Sequence, residues 1–455
     1  MNNRLQYVSD VHARVPAYRE FLKKQNTVPS APWADLPLMN KANYLLDYST
    51  ENLCWDGSIS GCHLIGASSG FSKSGSIFWP KRPCDEAEYM ASLENLMIDY
   101  YGIDKRKTLI FVCLAFGTWI GGIQIASAMR VLAASGRHPL TVATPSLNLS
   151  ESVEIYARYG SNYEQAIWIL NPSSVNLIAA LLDRRGIQAP PGTIFFPVVG
   201  EYFTEHFREA IARRFGHPED HPFVVWTGYG SADAGDLGAE TAATIALRKF
   251  FHRHPALSQE FFGTDSTPML LAIPAGCFLE IVNGNIVVTK DQMVPLVRYD
   301  TGDSGGLLSR QKCLELPYLP SGLPEKLPEQ ILFVHGRASD AVIFYGTNLL
   351  IGAINGHFFS LPERYRYGGL FELRRVEKSG VTIFSFRIFV RGELAVELCA
   401  HYQESLIGFL KRNSLEFNAK YDALSQSAGE PLIRVELRDI AEVPGKAKHR
   451  YIVED

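Results

Sequence analysis

Short apolar runs recur along this chain, among them LIFVCLAF, TIFFPVVG and PFVVWTGYG, separated by amphipathic stretches such as TEHFREAIARRFG. Runs of that length suit buried strands, and the stretches between them carry apolar residues at helical spacing. The alternation predicts an α/β architecture of mostly parallel sheets under covering helices. In such sheets ligands collect beyond the carboxyl ends of the strands. Polar and glycine-rich residues that follow an apolar run are therefore the first place to look for chemistry.

Size and charge narrow the classes. At 455 residues the chain exceeds what one hydrophobic core organises, which favours two or more domains, one of them large. Hydrophobic residues make up 46% and charged residues 20%, too apolar a mixture for a disordered chain. A net charge of −4, with isolated basic pairs at Arg184-Arg185 and Arg213-Arg214, gives no general attraction to nucleic acid. The seven cysteines, Cys54, Cys62, Cys84, Cys113, Cys277, Cys313 and Cys399, form no CxxC pair and read as reduced thiols of a cytoplasmic protein. MNNRLQYVSD lacks the apolar core of a secretory signal. Leu109 to Met129 is uncharged and long enough to raise a membrane-spanning reading, but Gly117, Gly121, Gly122 and Gln124 divide it. The expectation is a buried strand passing through Gly117-Thr118 into a helix, without membrane insertion.

LELPYLPSGLPEKLPEQ, from Leu314 to Gln330, is too proline-rich for a central strand or helix and reads as an exposed connection. The strand-rich FELRRVEKSGVTIFSFRIFVRGELA that follows suits a small α+β unit. A hinge near Asp340 would divide the chain into domains 1–339 and 340–455.

Four polar stretches could carry chemistry. Ser68-Ser69-Gly70-Phe71-Ser72-Lys73-Ser74-Gly75 offers hydroxyls, backbone N–H groups and a cation to phosphate oxygens, or is a flexible turn. Trp226-Thr227-Gly228-Tyr229-Gly230-Ser231-Ala232-Asp233 ends on a carboxylate that could hold Mg²⁺ against a nucleotide or cap a helix. In Val297-Arg298-Tyr299-Asp300-Thr301-Gly302-Asp303, the Asp303 carboxylate could accept hydrogen bonds from two vicinal ribose hydroxyls. Pro444-Gly445-Lys446-Ala447-Lys448-His449-Arg450 is a basic tail, either a solvated surface or the carrier of a catalytic lysine.

In this order and spacing the four stretches resemble the signature motifs of the adenylate-forming superfamily, specifically its phenylacetate-CoA ligase-like branch. Val15-Pro16-Ala17-Tyr18-Arg19, DLPLMNKANY, Gly200-Glu201, Gly336-Arg337-Ala338-Ser339-Asp340 and Gly346-Thr347-Asn348 extend the likeness over nearly the whole chain. The resemblance implies a large multi-sheet N-terminal adenylation domain and a small mobile α+β C-terminal domain. It implies activation of a carboxylic acid with ATP and Mg²⁺ to an acyl-adenylate, then transfer to coenzyme A. Ser68, Ser69, Gly70, Ser72 and Lys73 would hold phosphates. Gly200, Glu201, Tyr229, Gly230 and Ser231 would surround the nucleotide, and Asp303 and Arg337 would hold its ribose. Asp233 would take the place of the usual metal-binding glutamate, Asp340 the hinge, and Lys446 the lysine that bridges the substrate carboxylate and the α-phosphate. Phe116, Trp119, Trp226 and Gly228 match positions bordering the acyl site, where aromatic side chains suit an aryl acid.

The departures from the pattern carry information. Phe71 and Ser72 stand where two threonines are common, Lys73 lies one position early, and Ala232 replaces a serine or threonine. Many relatives place a cysteine cluster before the Gly336-Arg337 motif, whereas here only Cys313 is present, so no structural zinc is expected. Two alternatives to the CoA ligase remain: adenylation with transfer to an acyl carrier protein or an amine, and a non-catalytic adenylate-binding or regulatory protein. The sequence leaves the acid and the oligomeric state open, a dimer included.

Overall fold

The computed structural model describes residues 4–453 except 68–76, 265–266, 321, 337–340, 345–346, 379–380, 393, 414–416, 419–420, 423–424, 426–430, 444–448 and 450. The chain forms two compact units. One comprises Met1–Thr144, Trp226–Arg248 and Pro268–Arg337; the other comprises Pro145–Val225, Lys249–Thr267 and Ala338–Asp455.

In the first unit the strand Thr108–Val112, buried at every position, pairs in parallel with Leu140–Ala143. The helix Ile120–Ala134 makes the crossover that a parallel pair requires. The uncharged stretch from Leu109 is thus a strand, a glycine turn and a helix, as its glycines imply. Gly122 is obligatory in that packing, since a Cβ there would stand 2.0 Å from the Ala115 carbonyl oxygen. Among the described residues no helix is long and apolar enough to cross a membrane.

The rest of this unit corrects the expectation of mostly parallel sheets. Phe278–Val282, Asn285–Lys290, Leu296–Ser309, Gln330–Gly336, Met269–Ala272, Gly235–Ala239 and Val225–Ser231 lie side by side in that order, each antiparallel to the next. The reason is local. PFVVWTGYG runs into the short turn around Asp233, and a connection that short can only return an antiparallel neighbour. Asn283 and Gly284, both with positive φ, likewise close the hairpin between Val282 and Asn285 as a two-residue turn.

The proline-rich connection is anchored as well as exposed. Tyr318 is 89% exposed, whereas Leu316, Leu323 and Leu327 are buried, so its leucines pin a segment whose prolines keep it out of the sheet.

In the second unit Gln165–Ile169 and Ile194–Val199 form a parallel pair joined through the helix Pro172–Arg184. Its C-terminal part has the α+β character expected from composition. Tyr367–Lys378 pairs antiparallel with Val381–Val390, Ile433–Asp439 adds in parallel to the latter, and Ile452–Val453 adds in parallel to the former. The helices Ile351–Ser360 and Val396–Asn413 contribute Ile351, Ile354, Phe358, Tyr402 and Leu406 to a core with Phe371, Phe384, Phe386 and Ile433.

Candidate functional site

Two tyrosine–aspartate pairs organise the polar end of the antiparallel run in the first unit. On Val225–Ser231, Tyr229 donates its hydroxyl to Asp303 Oδ2 at 2.7 Å. Asp303 is 8% exposed and follows Gly302, whose φ of +75° turns the strand Leu296–Ser309 at this point. The turn is braced from both sides. Thr301 donates to the Ile286 carbonyl at 2.9 Å, and Asp300 accepts from the Gly302 amide at 2.9 Å and from Asn285 at 3.0 Å. DLPLMNKANY supports the same strand. Met39 lies in a bridge beside Tyr299, its carbonyl accepts from the Asp300 amide at 2.8 Å, and the buried Arg298 donates to the Ala34 carbonyl at 2.9 Å and to the Leu36 carbonyl at 2.5 Å.

The second pair is Tyr299 and Asp233, with the phenol hydroxyl donating to Asp233 Oδ2 at 2.5 Å. Asp233 caps no helix, because the strand Gly235–Ala239 follows it directly. Its carbonyl accepts from Gln292 at 2.6 Å, which fixes the turn. Ser231 serves that turn by accepting from the Ala234 amide at 3.1 Å. Gly230 permits the hairpin, since a Cβ there would lie 2.4 Å from the Gly235 carbonyl oxygen. Lys81, which closes the strand Phe78–Lys81, is 5% exposed, and burial pushes its ammonium down to about 8. The negative charges of Asp85 and Asp233 oppose that shift, while Lys290 reinforces it.

In the second unit Gly200 and Glu201 leave the end of the buried strand Ile194–Val199. Gly200 has φ +87°, and a Cβ would press to 3.0 Å from Asn171 Nδ2, which itself donates to the Val199 carbonyl at 2.8 Å. Glu201 Oε1 accepts from the backbone amide of His449 at 2.8 Å. The same histidine ring bonds the Phe371 carbonyl at 2.8 Å, and the Leu373 amide donates to the Tyr451 carbonyl at 2.6 Å. His449 is thereby fastened both to the Glu201 loop and to the C-terminal sheet, which Tyr451 also joins.

Of the acyl-site candidates, Trp226 is buried, donates to the Tyr101 hydroxyl at 2.6 Å and meets Tyr100 edge-on, with ring centroids 5.1 Å apart. Gly228 lies opposite Ala239 in the hairpin. Phe116 and Trp119 are half-buried between the strand Thr108–Val112 and the helix Ile120–Ala134, and Trp119 bridges to Ala67. Ser68, Ser69, Gly70, Ser72, Lys73, Arg337, Asp340 and Lys446 lie outside the described residues.

No protein-family model matches the chain, and no curated protein matches it in sequence. Solved structures do match. 2-Hydroxyisobutyryl-CoA ligase, in the postadenylation state in complex with R3-HIB-AMP, aligns over 100% of this chain and 88% of its own, with a TM-score of 0.69 and 13% identity. The chain has the fold of the adenylate-forming enzymes. The same ligase in complex with 2-HIB-AMP and CoA in the thioesterification state aligns over the same shares at 13% identity, with a TM-score of 0.53. An acyl acid amido synthetase in complex with 2,4-DB shares the fold at a TM-score of 0.56 and 13% identity, over 96% of this chain and 91% of its own.

Among the described motif residues, Tyr229 is joined to Asp303, Asp233 to Tyr299, and Glu201 to the backbone of His449. Two side chains of the first unit were not singled out. Tyr299 stands inside a quoted motif, but nothing in a linear motif says that its hydroxyl reaches Asp233. Lys81 belongs to no motif, and its one signal is a lysine closing the apolar run IFWPK.

Proposed function

We propose that the chain is an AMP-forming acid–CoA ligase: it activates a carboxylic acid with ATP and Mg²⁺ to the acyl-adenylate, releases pyrophosphate, and transfers the acyl group to coenzyme A, releasing AMP. The observation that carries the reading is the Tyr229–Asp303 hydrogen bond, which joins two motif residues 74 positions apart on a fold whose solved examples include a CoA ligase in complex with R3-HIB-AMP. The branch we assign is the phenylacetate-CoA ligase-like one. We take an aryl or related acid as substrate, on the support of half-buried Phe116 and Trp119 at the end of a buried strand.

In this reading Asp303, which accepts from the Tyr229 hydroxyl, also accepts the ribose hydroxyls together with Arg337. Gly200, Glu201, Tyr229, Gly230 and Ser231 border the nucleotide, and Ser68, Ser69, Gly70, Ser72 and Lys73 meet its phosphates. Asp233 presents a hard carboxylate oxygen, the donor type Mg²⁺ takes beside phosphate oxygens, and the bound ion would neutralise phosphate charge. Lys446 orients the acid's carboxylate toward the α-phosphorus and stabilises the charge that develops there. A bound acid is already ionised at neutral pH, so a fixed cation serves better than a base. The division into 1–339 and 340–455 with a hinge near Asp340 belongs to the same proposal; in its favour, the residues from Ile351 to Ile433 have a core of their own. Withdrawal of a lysine on a mobile domain would leave room for the thiol.

A second acceptor stays in play because an acyl acid amido synthetase shares the fold nearly end to end. In that case an amine takes the acyl group. The test is acid-dependent exchange of labelled pyrophosphate into ATP, with Mg²⁺, across aryl and aliphatic acids, followed by addition of CoA or amines to the responding acid. Exchange with one acid and CoA-dependent AMP release are expected. ATP binding without exchange for any acid would favour the non-catalytic alternative, and turnover with amines alone would move the chain to the second reading.

A further inference from the structure

We propose that His206, Glu209 and His252 form a binding site for a divalent transition-metal ion of the zinc, nickel or cobalt class. His206 and Glu209 sit on the helix Glu205–Arg214 at i and i+3, the spacing that brings two side chains to one face. His252 comes from the last turn of the helix Ala242–Arg253. The imidazole rings meet nearly at right angles, 85°, with centroids 4.4 Å apart. One donor atom from each of the three residues lies within 4.8 Å of the others.

These three groups converge without closing a hydrogen bond between His206 and Glu209, whose Nδ1 and Oε2 stand 3.9 Å apart. Tetrahedral ligands at about 2.0–2.1 Å from a metal lie about 3.3 Å from one another, so side-chain movements on the order of 1 Å would gather the set around an ion. All three residues are half-buried, which gives an ion access to them from solvent. Two imidazoles and a carboxylate select against magnesium and calcium, which take oxygen ligands, and favour zinc, nickel or cobalt.

The scaffold holding the donors is fixed independently of any metal. Thr204 caps the first helix by accepting from the Phe207 amide at 3.2 Å, and Glu205 pairs with Arg208 at 3.0 Å, with side chains 1% and 0% exposed. Lys249, the cation one turn before His252, donates its ammonium to the Glu219 carbonyl at 2.8 Å. An ion here would clamp the helix that follows the Gly200-Glu201 loop to its neighbour. This site departs from the sequence-based expectation of no structural zinc, which rested on the missing cysteine cluster; its ligand set contains no cysteine.

The experiment uses the full chain stripped with a chelator and titrated with Zn²⁺, Co²⁺ or Mg²⁺ in the absence of acid and ATP, so that its result is separate from that of the ligase reading. One Zn²⁺ per chain by elemental analysis after dialysis is expected, with no Mg²⁺ retained. A rise in the thermal midpoint of about 2–4 °C in excess Zn²⁺ should accompany it. His206→Gln and His252→Gln should each weaken Zn²⁺ binding by at least about tenfold while the metal-free midpoint changes little, and Glu209→Gln supplies the comparison if a histidine variant does not fold. Undiminished binding in the double histidine variant would overturn the site. So would an intense thiolate-to-Co²⁺ absorption, which would put the ion on cysteine, or the absence of any Zn²⁺ retention.

Discussion

Carboxylates in this chain are held in two ways, by neutral donors or by a buried cation, as Arg248 holds the fully buried Glu240 at 3.1 Å in the first unit. In the first unit Asp303 and Asp233 each accept from a tyrosine hydroxyl, a neutral donor that positions the acid without cancelling its charge. In the second unit Glu205 is buried against the guanidinium of Arg208, which also donates to the Val225 carbonyl, and the charge of that acid is committed to the fold. Glu201 stands between these cases, held by a neutral main-chain amide. On the proposed ligase reading the acids restrained by neutral donors are the ones offered to a ligand, whereas an acid buried against a cation costs stability when that cation is removed.

The largest effect should come from breaking the structural kind. Arg208→Met leaves Glu205 buried without its cation, and the loss in unfolding free energy should be about 3–5 kcal/mol by urea denaturation. Replacing Glu205 and Arg208 together by methionine should recover most of that loss. A double variant as unstable as the single one would show that packing, not charge, holds this helix.

Next is Lys446→Ala, which on the proposed ligase reading removes the cation that bridges the acid's carboxylate and the α-phosphate. Pyrophosphate exchange should fall by about 10²–10³, while thioester formation from preformed acyl-adenylate changes less. Equal losses in the two half-reactions would remove Lys446 from the adenylation step.

Lys81 tests whether charge held in reserve in the first unit has a cost in stability. Its ammonium is displaced from an ordinary 10.5 to about 8, so between those values the unfolded chain binds the proton more tightly than the folded one. Stability therefore rises with pH across this window, and the whole penalty, about 3 kcal/mol, is present below pH 8. Lys81→Met should gain on that order at pH 7 and lose its advantage near pH 10.5, read from denaturation curves at a series of pH values. A gain independent of pH would mean that the methionine merely packs better.

These contrasts also show what the sequence could and could not convey. LIFVCLAF and TIFFPVVG are legible as parallel strands because each leads, through a turn, to a helix long enough for a crossover. PFVVWTGYG looks the same in composition, yet it pairs antiparallel, because the short turn at Asp233 decides direction and an apolar run carries no sign of it. Asp303 and Tyr229 could be singled out as motif positions, but their hydrogen bond spans 74 residues and depends on strand order, which local pattern does not specify. Lys81 and the cluster of His206, Glu209 and His252 were out of reach for the same reason: each owes its character to neighbours supplied by another segment.

Tyr229→Phe deletes the neutral donor from Asp303 and leaves the carboxylate. A hydrogen bond to a charged group contributes roughly 1.5–3 kcal/mol, and water can replace part of it at a partly exposed site, so KM for ATP should rise about tenfold with little change in stability. An unchanged KM would mean that Asp303 needs no phenol to hold its place.

The smallest effect separates Glu201 from both of the other kinds. Its partner is the His449 amide, which no side-chain substitution at 449 short of proline removes, so the informative change is at Glu201 itself. Glu201→Gln keeps an oxygen acceptor and gives up the charge, while Glu201→Ala gives up both. If the residue acts by fastening the tail, Gln should exchange pyrophosphate within about twofold of the parent. Ala should fall by several-fold, in keeping with about 1 kcal/mol for a neutral hydrogen bond. Equal losses for Gln and Ala would mean that the charge of Glu201 is what matters, and would place it beside Asp303 among the acids proposed to serve a ligand.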